Sequence, residues 1–74
     1  MARLPTVSGR QAVAAFEKVG FEVRRQRGSH IIMARTGTPV TLSVPDHRRL
    51  KPGTLRALIR KAGLTVQEFA DLLE

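Results

Sequence analysis

The chain reads as a small α+β domain of order α-β-β-β-α, closed by a short extra helix. Three observations predict this. Apolar residues recur at helical spacing near both ends, and at every second position through the middle. A Gly-Ser pair then stands where the first two central runs meet, as a tight hairpin requires.

The elements follow in order. Ser8 is a good helix N-cap, and GRQAVAAFEKV after it carries apolar residues at 12, 13, 16 and 19. Gly20 ends that helix in the usual C-terminal position. The period then changes to two. In FEVRRQR, Phe21 and Val23 share a face with Arg25 and Arg27, while Glu22, Arg24 and Gln26 point the other way. Gly28-Ser29 suits a two-residue type II′ loop, with Gly28 where φ must be positive. An unbroken register then sets Phe21 opposite Thr36, Val23 opposite Ala34, Arg25 opposite Ile32 and Arg27 opposite His30. On the reverse side it pairs Glu22 with Arg35, opposite charges. TGTP turns the chain again, and VTLSV forms a third strand. PDHRRLKPG, residues 45–53, reads as a polar loop. TLRALIRKA forms a helix with Leu55, Leu58, Ile59 and Ala62 on one stripe, ended by Gly63. Thr65 and Glu68 make a capping box for the last helix.

Both long helices carry a single apolar stripe, so they belong on one face of a three-stranded meander. The core face is expected to hold Phe21, Val23, Ile32, Ala34, Val40, Leu42 and Val44. The reverse face would show Ile31 and Met33 among Arg24, Arg35, Thr41 and Ser43, either as tolerated exposure or as a partner surface. No repeat, linker or low-complexity stretch interrupts residues 1–74, which read as one domain.

Composition narrows the function. Lys and Arg number 13 against 6 Asp and Glu, a net charge of +7, and ten of the cations are arginine. That excess points to a polyanion, with nucleic acid ahead of a membrane surface. No apolar run approaches a spanning helix, and the N-terminal MARLPTVSG lacks the apolar stretch of a secretory signal, so a cytoplasmic protein is expected. Cysteine is absent and the two histidines are far apart, so neither disulfides nor a bound metal is expected, nor any cofactor. Without Tyr or Trp there is little platform for stacking unpaired bases.

RRQRGSH concentrates the chemistry. The register puts His30 beside Arg27 and diagonal to Arg25, on the helix-covered face but at the rim of the core. Two readings stand. One is a half-sheltered histidine making a hydrogen bond. The other is a general base for RNA cleavage, which needs a proton acceptor for the 2′-hydroxyl and cations for the phosphate. Imidazole, with an ordinary pKa of about 6.5, suits proton transfer near neutrality. Gly28 lets a phosphate approach the backbone, and Ser29 can donate a hydrogen bond. His47 is a loop histidine or a secondary candidate for the acid. Asp46 and Glu68 pair with no other acid. Arg48, Arg49, Lys51 and Arg56 read as a phosphate-contacting surface, with Lys51 the chosen RNA contact beyond the turn.

With these pieces in hand, LPTVSGRQ, VGFEVRRQRGSHIIM, VTLSVPDH and KPGTLRALIRKAGLTVQEF together resemble the HicA family of toxins from toxin–antitoxin systems. The resemblance runs nearly end to end. It implies a double-stranded-RNA-binding-domain-like fold and a metal-independent endoribonuclease, an mRNA interferase that arrests growth. It implies His30 as the catalytic residue, a part in activity for Gly28, and neutralisation by a HicB-type antitoxin that shields the site. The chain departs from the family at Ile31-Ile32-Met33, where a further His or aromatic is often found, and at Gln11, commonly an acid. The rival from another class is a non-catalytic basic RNA-binding module of the same fold. A third reading is a structural subunit whose basic face meets an acidic protein.

Overall fold

A computed structural model describes residues 3–73. Its elements are α1 (Gly9–Glu17), β1 (Glu22–Arg27), β2 (His30–Ala34), β3 (Thr41–Pro45), α2 (Pro52–Lys61) and α3 (Val66–Leu72). The three strands form one antiparallel sheet in the order β1-β2-β3. The predicted order of elements and the α+β class are thus what the chain adopts, with the double-stranded-RNA-binding-domain-like arrangement and the extra C-terminal helix.

Local chemistry explains the helix ends. The Ser8 hydroxyl accepts from the Gln11 amide at 3.0 Å, and the Gln11 side chain accepts from the Ser8 amide at 2.8 Å. Thr65 and Glu68 repeat this reciprocal pair at α3, again at 3.0 and 2.8 Å. Helix α2 starts two residues earlier than its apolar stripe suggests. Pro52 occupies its first position, where the missing N–H costs nothing and φ is already helical. The 45–53 loop therefore shrinks, since Pro45 ends β3 and Pro52 opens α2.

The core lies between the helices and one face of the sheet. All three phenylalanines meet there: Phe16 packs edge-on to Phe21 with ring centres 6.2 Å apart, and against Phe69 at 5.2 Å. Val13, Leu55, Leu58 and Ile59 add to it from the helices, and Leu50 from the loop before α2.

The sheet corrects the expected faces. Ile31 and Met33 are 1% and 0% exposed and look into the core, whereas Ile32 and Ala34 lie on the uncovered face, and Val23 is 45% exposed. Two causes act together. A bulge between Val23 and Arg25 inserts one residue into β1, so Val23 pairs with Met33 and Glu22 with Ala34, in place of Ala34 and Arg35. The β2–β3 register sets Met33 opposite Leu42 and Ile31 opposite Val44. β3 alternates apolar and polar without ambiguity, so Leu42 and Val44 choose the buried face for the whole ladder. Val40 only packs partly against the core. Neither the tolerated exposure nor the partner surface considered for Ile31 and Met33 applies, since both are buried in the core.

Arg35, freed from Glu22, has another task. Its guanidinium lies 4.5 Å from the Phe21 ring centre and donates to the Val19 carbonyl at 3.1 Å, closing the end of α1 onto the sheet.

Candidate active site

The hairpin turn forms as its residues demand. Gly28 has φ of 58°, and among the described residues no non-glycine residue has positive φ, so Ser29 keeps an ordinary conformation as the second turn residue. This matches a type II′ loop. A Cβ on Gly28 would meet nothing within 4 Å, so backbone conformation alone requires glycine, and the space above it is open. Gln26 donates from its side chain to the Gly28 carbonyl at 3.2 Å.

Arg27 pairs directly with His30, and Arg25 with Ile32, in the expected register. Their face is the other one. Because Ile31 and Met33 are buried, His30 alternates outward with Ile32 onto the uncovered side of the sheet and is exposed, not lodged at the rim of the core. Arg25, Arg27, Gly28 and Ser29 are exposed as well. The arrangement is an imidazole with a guanidinium beside it and a second one further along the same face, all open to a large ligand.

Folding then brings two distant segments to this turn. Pro45 pairs with His30 across β2–β3, and the next amide, that of Asp46, donates to the Ser29 carbonyl at 2.6 Å. Asp46 is also gripped side-on by Arg10 of α1, with Nε to Oδ1 at 3.2 Å and Nη2 to Oδ2 at 3.0 Å. The neighbouring Gly9 amide donates to the His47 carbonyl at 2.9 Å. A Cβ on Gly9 would lie 2.0 Å from the Pro45 oxygen, so only glycine admits this contact. SGR, GSH and VPDH, three separate pieces of sequence, thereby meet at one end of the sheet. No local pattern in the chain announces the Arg10–Asp46 pair, whose members are 36 residues apart.

The remaining candidates are arranged less closely. The His47 carbonyl serves the α1 junction, while its side chain is exposed. Lys51 is the N-cap of α2, exposed and without a side-chain capping bond. Among the described residues, ion pairs occupy Arg10 and Arg24, the latter 3.3 Å from Glu22. Arg25, Arg27, Arg48, Arg49, Lys51 and Arg56 form none there, and neither imidazole is hydrogen-bonded to them. Among the described residues no three His, Cys, Asp or Glu side chains gather as metal ligands, and no helix is long and apolar enough to cross a membrane.

No curated protein matches the chain. A family model described as the HicA toxin of bacterial toxin–antitoxin systems matches residues 9–64 of the 74, a span running from the α1 junction through the hairpin and VPDH to the end of α2. The chain therefore belongs to the HicA toxin family, as a toxin whose family membership implies an antitoxin partner.

Proposed function

We propose that this toxin is a metal-independent endoribonuclease that cleaves mRNA, with His30 as its catalytic base. The observation that carries the reading is the Arg27–His30 pair on the exposed face of a two-residue turn, within a chain of the HicA family. An imidazole nitrogen of His30 takes the 2′-hydroxyl proton, and the freed oxygen attacks the adjacent phosphorus. The bond from phosphorus to the 5′-oxygen breaks, leaving a 2′,3′-cyclic phosphate and, after proton return, a 5′-hydroxyl.

Arg27 and Arg25 hold the phosphate and the negative charge that grows on it. Gly28 leaves room for the strand, and Ser29 offers a hydroxyl to a phosphate oxygen. Lys51 adds a more remote backbone contact, and His47 is a secondary candidate for returning the proton. A HicB-type antitoxin neutralises the toxin in the cytoplasm by covering the turn.

The test is cleavage of a defined RNA in EDTA by the wild type beside His30→Ala. Cleavage by the wild type alone, with cyclic-phosphate ends and an intact all-DNA control, is the expected result, because DNA lacks the attacking hydroxyl. Equal cleavage by both proteins would reject the assignment. If both merely bind RNA, with a steep salt dependence and no cutting, the protein is a binding module instead.

A further inference from the structure

We propose that Asp46, held by Arg10, is the positioning residue for His30, an inference that rests on the ribonuclease reading above. His30 makes no side-chain hydrogen bond among the described residues, so the fold positions it through its backbone. On the β1 side that backbone is fixed by pairing with Arg27. On the β3 side its partner is Pro45, which has no N–H to offer. The donor that reaches the turn from β3 is therefore the Asp46 amide, at 2.6 Å from the Ser29 carbonyl. That carbonyl shares a rigid peptide plane with the His30 nitrogen. Holding it holds the plane from which the imidazole projects.

Asp46 itself follows the end of β3, where the ladder stops. Its position is set from α1, because Arg10 grips both carboxylate oxygens and restrains rotation as well as distance. Gly9, adjoining Arg10, is locked onto Pro45 and His47 by its hydrogen bond and its close approach. The first turn of α1 thus reaches the catalytic turn through one strand end.

The magnitudes separate this role from a structural one. Arg10 and Asp46 side chains are 67% and 28% exposed, and such surface pairs contribute little to stability. Geometry is far more sensitive, since displacing a reacting group by about 1 Å can cost about a hundredfold in rate.

The experiment compares steady-state cleavage of a short RNA by wild type, His30→Ala, Arg10→Gln, Asp46→Asn, the Arg10→Gln/Asp46→Asn double variant, and the exchanged pair Arg10→Asp/Asp46→Arg. Each single variant should lose about tenfold in kcat, with KM held within about twofold. The double variant should lose no more than either single one, and the exchanged pair should recover most of the rate. Thermal midpoints should stay close to wild type, and the Asp46 amide should exchange faster with solvent in Arg10→Gln. Wild-type kcat in Asp46→Asn, a loss confined to KM, or losses that multiply in the double variant would each overturn the proposal. The two readings fail differently. If His30→Ala cuts as well as wild type, the ribonuclease assignment falls and takes this one with it. If cleavage depends on His30 but not on Asp46, this proposal alone falls.

Discussion

β1 and β2 are the two arms of one hairpin, yet the fold treats them oppositely. β2 is the central strand, and the helices cover Ile31 and Met33 on one side of it while His30 and Ile32 alternate onto the other. β1 is an edge strand and is exposed from Glu22 to Arg27, Val23 included. A strand free of core duty can carry three arginines and a bulge without cost to packing. A charged, irregular edge also resists pairing with another sheet. The central strand has no such freedom. Its backbone at His30 is held because the next residues on the other face, Ile31 and Met33, are locked into the core. On the proposed function, the edge strand grips the substrate and the central strand cuts it.

Substitutions in the two arms test this division. The largest effect belongs to β2: His30→Ala should reduce RNA cleavage by about 10²–10⁴-fold, the usual worth of a general base, with unfolding in urea unchanged. Next comes the rung shared by Met33 and Val23. Met33→Ala should destabilise by about 2–5 kcal/mol because it empties a fully buried site. Val23→Ala, on the exposed arm, should change the unfolding free energy by about 0.5 kcal/mol or less. Comparable losses at both ends of that rung would show that β1 is covered after all. At the junction of the arms, Gly28→Ala should cost about 1–2 kcal/mol, since alanine must adopt φ of 58° there. The smallest effect on folding is expected for Arg25→Gln and Arg27→Gln, which should leave stability untouched. Each should instead lower the slope of log affinity against log salt by about 0.7 for single-stranded RNA, measured with non-cleaving protein. An unchanged slope would remove that arginine from the phosphate contacts.

Much of the fold was legible because its signals are local. Ser8, Thr65 and Glu68 satisfy amides within their own helix turn, and Gly28-Ser29 fixes a turn by its own backbone preferences. The Arg27–His30 and Arg25–Ile32 pairs follow from turn length alone. The register beyond them did not follow, because the bulge at Arg24 has no signature in FEVRRQR. HIIMA is apolar on both parities, so it cannot say which side is buried. The sign of that choice came from β3, through Leu42 and Val44. Of the site, the turn and its neighbouring arginines could be read directly, but Asp46 appeared only as an isolated acid.

The sequence by itself determined the order of elements, the helix caps, the two-residue turn and the placing of an arginine across from His30. These rest on interactions among near neighbours, which composition and spacing encode. Tertiary structure alone decided that His30 faces outward and that Arg10, Ser29 and Asp46 meet beside it. The physical reason is that a strand's buried face is chosen by the strand and helices packed against it. A contact between residues 36 apart exists only once α1 has docked on the end of β3.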